Sequence, residues 1–186
     1  MPLLLDSLSI VPLIGNPHVD IGSGGGMPAI PAAILADIDL TMIEATAKKA
    51  AFLREVVSEL GISATVVQER AEVAGRRPDV RGSFSSGTAR AVGSAPTVAE
   101  LLLPLLRVGG RAILQRGPIQ AEERAALEDA LLVLGGKIES EHTLDPGQRI
   151  LVVQKISPTP ERFPRRPGIP AKRPLGWRHV PRETPR

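Results

Sequence analysis

Two rhythms of hydrophobic and polar positions run through the chain: short apolar runs of four or five residues, and longer stretches with helical spacing. Leu3 to Ile14 has helical spacing. His18 to Gly22 reads as a short strand running into a cluster of glycines. Ala29 to Ala36 follows as a short helix and Leu40 to Ile43 as a strand. Thr46 to Leu60 sets Phe52, Leu53, Val56, Val57 and Leu60 on one helical face, with Gly61 as the stop. Thr65 to Gln68 predicts another strand, and the polar, Gly/Ser-rich residues 74–88 a loop. Beyond it come a helix over Pro96 to Leu106 that ends before Gly109 and Gly110, and a strand over Arg111 to Gln115. A helix over Glu122 to Leu134 is closed by Gly135, and Ile150 to Gln154 is a last apolar strand. Strands alternating with helices of this length predict βαβ units and a mostly parallel sheet covered on both faces. There is no internal repeat.

Composition narrows the class. The 186 residues are enough for one domain with a real core. Only 2% are aromatic and none is tyrosine, so Leu, Ile, Val and Ala must fill that core. The absence of cysteine excludes a disulfide framework and a thiolate zinc site, and leans to the cytosol. No apolar run reaches membrane-span length. His18, His142 and His179 lie far apart with no metal-ligand spacing and read as incidental.

The net charge of +3 conceals an asymmetry. Residues 157–186 carry eight Lys and Arg against Glu161 and Glu183, together with eight of the 18 prolines. Residues 1–156 are left net acidic. Two parts are therefore expected: a domain over 1–156 and a basic Pro/Arg-rich tail over 157–186, solvated and extended or acting as a polyanion-binding arm.

The chemistry begins at VDIGSGGGMPAI, Val19 to Ile30, where four glycines crowd into five positions after a strand. Glycine inside an element costs about 0.5–1 kcal/mol against alanine, so the cluster calls for a sharp turn or a close ligand. A phosphate-binding P-loop is excluded because no lysine follows. A dinucleotide fingerprint fits loosely on Gly24, Gly26 and Ala29, with Glu44 as the ribose acid. A third register, Asp20, Gly22, Gly24 and Gly26, puts an acid at the very end of the strand. A carboxylate there suits a locally cationic ligand such as the amino group of S-adenosylmethionine, whereas a pyrophosphate would be repelled. Glu44, at the tip of the next strand, suits ribose hydroxyls in either reading. The third register is favoured, and the dinucleotide reading stays open.

These residues, with LDSL near the start, EATAKKAAFL, the TARAV stretch and SPTPERFPRRPGIPAKRPL, resemble the RsmG (GidB) family, in its cyanobacterial and plastid branch. The resemblance implies a Rossmann-like class I S-adenosylmethionine-dependent methyltransferase with a seven-stranded sheet. It implies methyl transfer to N7 of a guanine in 16S ribosomal RNA, in a cytoplasmic, monomeric protein that meets free RNA or the small ribosomal subunit. Carried over by position, Gly22, Gly24 and Met27 would line the cofactor beside Asp20. Glu44, Ala45 and Thr46 would flank its ribose, Ala71 and Glu72 its adenine, and Arg90 the methyl donor. Lys48, Arg116 and Arg149 match basic positions that would meet RNA. Guanine N7 has a free lone pair, so no general base, triad or metal is expected.

The sequence also departs from the family pattern. Family members carry a further helical segment before LDSL, so the chain is expected to be shortened there. In FSSGTARAV, Ser85 falls where the family has an acid, and Ser86, Gly87 and Thr88 fall where it has apolar residues, which predicts a weakened strand. Met27 and Ala29 replace a phenylalanine and a glycine, mild changes for an adaptable methionine. A non-catalytic RNA-binding remnant of the family is therefore a second expectation, and a nicotinamide-dependent oxidoreductase a distant third.

Overall fold

The computed structural model describes residues 7–145 and 147–177. The first part of the helix expected over Leu3 to Ile14, the arginines at 178, 182 and 186, and His179 lie outside them. What is described of the first segment includes a short 3-10 turn, Val11–Leu13.

Seven strands form one sheet: β1 His18–Ile21, β2 Leu40–Ile43, β3 Ala64–Val67, β4 Phe84–Arg90, β5 Leu106–Arg116, β6 Gly136–Asp145 and β7 Gln148–Lys155. Their order is β3-β2-β1-β4-β5-β7-β6. The first five are parallel, and β7 runs antiparallel to both β5 and β6. Strand order reverses between β1 and β4, which is where open α/β sheets bind ligands at the carboxyl edge.

The helices are α1 Ala29–Ala36, α2 Ala47–Leu60, α3 Ala71–Ala74, α4 Ala95–Leu102, α5 Ala121–Leu134 and α6 Ile169–Lys172. Alternate strand residues face opposite sides, so two cores result. Val19, Ile21, Ala89, Leu114 and Val153 pack with α4 and α5 through Leu102, Leu127 and Leu131. On the other side Met42 and Leu40 meet Ile30, Ala33 and Leu53 of α1 and α2, while Ile113, Ile150 and Val152 meet Ile10 and Ala32.

Several elements differ from the sequence reading. Residues 84–90, expected within or at the edge of a loop and as a weak strand, are the central strand β4, paired with β1 and β5. Its polar side chains are matched by β1 across the register His18 to Ser86 and Asp20 to Thr88. Ser86 and Thr88 thus find partners within the sheet, while Ser85 donates to the Asn16 carbonyl outside it. The helix read as Pro96 to Leu106 stops at Leu102, because Pro104 has no N–H to continue it. Leu106 already begins β5. Edge strand β6 was not legible: its side is largely polar and it lacks an apolar run. On α2 the buried positions are Ala50 and Leu53, whereas Phe52 and Leu60 of the expected face are about half exposed.

The stretch 157–177 is not a solvated arm. Phe163 is buried, Thr159 donates to the Leu134 carbonyl, and Arg81 donates to the carbonyls of Thr159, Pro160, Phe163 and Gly75. Proline richness blocks a long helix and a central strand, but here the Arg81 side chain satisfies several of the segment's carbonyls instead.

Candidate cofactor and substrate site

The glycine loop leaves β1 at Gly22 and enters α1 at Ala29. Gly22, Gly24 and Gly26 all have left-handed φ, at 65°, 55° and 84°. A Cβ at Gly26 would stand 2.4 Å from Ile30 Cδ1, and one at Gly22 would stand 2.8 Å from Val92 Cγ2. The left-handed backbone calls for glycine at these two positions, and any side chain there would also have to displace a neighbouring methyl.

Glu44 holds the loop in place. Its Oε2 accepts from the Gly24 N–H at 3.0 Å and its Oε1 from the Thr46 N–H at 2.7 Å. Burial pushes its carboxyl up, but these backbone donors and the Lys49 charge outweigh burial and leave its pKa below the ordinary value. Glu44 is therefore a carboxylate at neutral pH, with lone pairs remaining for further donors.

Beneath the loop runs a buried polar chain. Thr88 Oγ1 lies 2.6 Å from Asp20 Oδ1 and 2.9 Å from His18 Nε2, and His18 Nδ1 lies 2.6 Å from Ser86 Oγ. Ser86 Oγ also accepts from the Gly15 N–H and donates to the Gly15 carbonyl, both at 2.8 Å. Burial raises the Asp20 pKa to about 7, aided by the Glu44 charge and opposed by hydrogen bonds from Thr88 and Ser23. Burial lowers the His18 pKa to about 3.

Two cavities open at the carboxyl edge of the sheet. The smaller, about 210 Å³, is lined by Gly22, Glu44, Ala45, Ala71 and Glu72, together with Val92, Thr97, Pro170 and Ala171. The larger, about 430 Å³, is lined by Arg90, Val92, Gln115, Arg116, Gln148 and Arg149, among others. Val92 belongs to both walls, so the cavities adjoin at the turn after β4. Ala91 in that turn has a left-handed φ of 55° without being glycine, a strained conformation of the kind that clusters at functional sites.

The expected residues therefore divide into groups. Gly22, Glu44, Ala45, Ala71 and Glu72 share the smaller cavity, and Arg90, Arg116 and Arg149 share the larger. Gly24 supports the loop through Glu44, and Thr46 precedes α2 with an exposed side chain. Like Gly24 and Thr46, three further positions depart from the expectation of direct lining. Asp20 is only 1% exposed and lies beneath the loop, because its carboxyl is drawn into the chain with Thr88. It does not present a charge to a ligand. Met27 stands outside both cavities, with Ser7 Oγ 3.6 Å from its sulfur. Lys48 is exposed on the first turn of α2, also outside them.

The two carried-over arginines at β5 and β7 are held by glutamates. Arg116 forks onto Glu123 at 2.8 and 2.7 Å, and Glu123 Oε1 also accepts the Ala95 N–H. Burial pushes the Glu123 carboxyl up, but the Arg116 and Ala95 donors prevail and lower it. Arg149 donates to Thr143 Oγ1 at 2.9 Å and lies 3.5 Å from Glu141. His18, read as incidental, is instead a central member of the polar chain; its alternation with Asp20 in HVDI is the signal that sequence carried. Val92, Thr97, Pro170 and Ala171 were missed. Only Val92 had a cue, lying two residues beyond Arg90.

Among the described residues there is no group of three or more His, Cys, Asp or Glu that could hold a metal ion, and no helix long and apolar enough to cross a membrane.

Comparison with known proteins agrees with this arrangement. Solved structures share the fold: a SAM-dependent methyltransferase from Aquifex aeolicus aligns with a TM-score of 0.64 at 12% identity, covering 84% of this chain and 94% of that one. A geranyl diphosphate methyltransferase in complex with GPP and sinefungin aligns with a TM-score of 0.67 at 14% identity, covering 82% of this chain and 77% of that one. Sequence relatives are much nearer. The ribosomal RNA small subunit methyltransferase G of Synechococcus sp. (strain JA-3-3Ab) is 46% identical over 165 residues, 85% of this chain and 64% of its own length. That of Chloroflexus aggregans is 44% identical over 163 residues, 84% of this chain and 68% of its own length. The chain thus spans about two thirds of the length of these relatives. The family model described as rRNA small subunit methyltransferase G matches residues 2–152, and the chain belongs to that family.

Proposed function

We propose that the protein transfers a methyl group from S-adenosylmethionine to N7 of a guanine in 16S ribosomal RNA, as free RNA or in the small subunit, in the cytoplasm and as a monomer. The observation that carries this reading is the adjoining pair of cavities at the β1/β4 switch point, one beside Glu44 and the glycine loop and one beside Arg90. A two-substrate reaction needs such a junction.

The residues of the smaller cavity fit a nucleoside. Ionised Glu44 accepts ribose hydroxyls beside Ala45 and Thr46. Ala71 and Glu72 flank the adenine, and Gly22 lets the backbone approach closely. Gly24, Met27 and Asp20 act through the loop, Asp20 from below. When bound, S-adenosylmethionine supplies the activated methyl group. Arg90 stands at its methyl end and faces the larger cavity, where the guanine enters. Arg116 and Arg149, with Lys48 further out, meet RNA phosphates. A target base in structured RNA must be unstacked to reach the cavity.

No protein base is needed, because N7 of neutral guanine already carries a lone pair. The protein's task is alignment of two bound partners and exclusion of water. Val92, Val98 and Leu114 supply the apolar part of the larger cavity's wall and suit that task.

Calorimetry with S-adenosylmethionine and with NAD tests the cofactor: binding of the first and not the second is expected. NAD binding alone would replace the reading with an oxidoreductase. Binding of S-adenosylmethionine without methylation of small-subunit RNA in a strain lacking its own enzyme would favour the non-catalytic remnant.

A further inference from the structure

The same smaller cavity has a wall that belongs to neither the glycine loop nor the strand ends. Pro170 and Ala171, from the Pro/Arg-rich segment, face Gly22, Glu44 and Ala71 across it. The segment is fixed at this point by two hydrogen bonds: the Gly168 N–H donates to Glu72 Oε1 at 2.9 Å, and Thr97 Oγ1 donates to the Pro170 carbonyl at 3.0 Å. Both partners on the body belong to the cavity wall themselves.

A second set of contacts holds the segment from behind. Glu100 on α4 is fully buried, and its carboxylate accepts from Arg165 Nε, Nη2 and backbone N–H at 2.6–3.1 Å. Arg165 Nη2 also donates to the Arg173 carbonyl at 2.7 Å, which ties the two ends of the turn around Gly168 together. Guanidinium forks of this kind fix direction as well as distance. An ion pair whose carboxylate has no exposure is not a surface accident.

We infer that residues Gly168 to Ala171 form the outer wall of the nucleoside-binding cavity, on the adenine side, and that Glu100 and Arg165 are positioning residues for it. This rests on the cofactor reading above. Glu72 Oε1 is already committed to the Gly168 N–H, so the carboxylate joins the wall to the floor. The base then slides between Ala71 and Ala171 and meets small side chains on both sides. The wall controls how much bulk the edge of the purine tolerates.

The test uses the full chain and calorimetry with S-adenosylhomocysteine and its N6-methyl derivative. Ala171 is exposed, so Ala171→Trp leaves the fold intact. It is expected to weaken S-adenosylhomocysteine tenfold or more and to change its affinity ratio to the N6-methyl derivative. Arg165→Lys keeps the charge but loses the fork, and is expected to weaken binding while flattening that ratio. Val152→Ala, a core change in the cluster on the other side of the sheet that shares no residue with this cavity, should lower stability and leave the ratio as in the wild type. Wild-type ratio and affinity in both Ala171→Trp and Arg165→Lys would overturn the wall, even with the cofactor reading intact. Failure of the wild-type protein itself to bind S-adenosylhomocysteine would defeat the reading on which the wall depends.

Discussion

Thr88 and Asp20 lie side by side on neighbouring parallel strands, with Thr88 Oγ1 2.6 Å from Asp20 Oδ1. The threonine hydroxyl has a single proton and two claimants, since His18 Nε2 is 2.9 Å away. If Asp20 is neutral, it donates to Thr88, Thr88 donates to Nε2, Nδ1–H donates to Ser86, and Ser86 donates to the Gly15 carbonyl. Every donor and acceptor in the row is then used. The same row is satisfied with the proton moved to the imidazole and Asp20 ionised. The raised Asp20 and lowered His18 values put the proton on Asp20 below about pH 7 with the imidazole neutral; above it, Thr88 donates to the Asp20 carboxylate.

This pair predicts a compensated pH dependence of stability. Asp20 has a folded pKa of about 7 against an ordinary 3.8, so the folded state holds an extra proton between those values and stability falls as pH rises through that window. His18 has a folded pKa of about 3 against 6.5, so its contribution rises with pH over nearly the same range. In the wild type the two largely cancel. Asp20→Asn should expose the His18 slope, with stability rising from pH 4 to 6.5. His18→Asn should expose the Asp20 slope, with stability falling from pH 4 to 7. Each change is on the order of 2–4 kcal/mol across the window. Chemical denaturation at several pH values reads both, and parallel profiles in the two variants would contradict the opposed shifts.

Thr88→Val should destabilise the fold by about 1–3 kcal/mol, because it removes the hydroxyl that joins Asp20 to His18 and leaves buried groups unpaired. Thr88→Ser should recover most of it. Equal stability of the valine and serine variants in urea denaturation would mean that the hydroxyl is not needed.

Glu44→Gln retains the shape of the side chain but only one oxygen to serve the Gly24 and Thr46 N–H groups. The expected result is at least a tenfold loss of S-adenosylmethionine affinity by calorimetry, with a modest change in stability. Because the Glu44 pKa is depressed, its stabilising contribution is present above its ordinary value of 4.5 and is lost as the pH falls through the folded value. In Glu44→Gln that acid-side loss should shrink.

Arg149→Ala should weaken RNA binding and lower the slope of log affinity against log salt by about one, as removal of one phosphate contact requires. Arg116→Ala should do the same and, in addition, leave Glu123 above the start of α4 without its guanidinium. An unchanged salt slope in both variants would remove these arginines from the RNA surface.

Legibility in the sequence followed the physics of each element. Helix α1 and strand β2 were readable to the residue, because their apolar runs are bounded by Gly, Pro and Asp. Strand β4 was not, since Ser86 and Thr88 belong in a buried strand only when His18 and Asp20 stand opposite, and that pairing is long-range. Of the smaller cavity's lining, Gly22 and Glu44 were legible from local motifs, and Ala71 only through the family resemblance. The wall at Pro170 and Ala171 was not, because a proline-rich stretch has no periodicity to report what it packs against. Its anchor, Glu100, lies 65 residues away from Arg165 in sequence.

The most direct measurement is chemical mapping of 7-methylguanine in small-subunit rRNA incubated with the purified chain and labelled S-adenosylmethionine. Label at N7 of one guanine, abolished by Arg90→Ala in a protein that still unfolds like the wild type, is the predicted result. A chain that binds the cofactor but leaves the RNA unlabelled, or an Arg90→Ala variant with full turnover, would contradict the account.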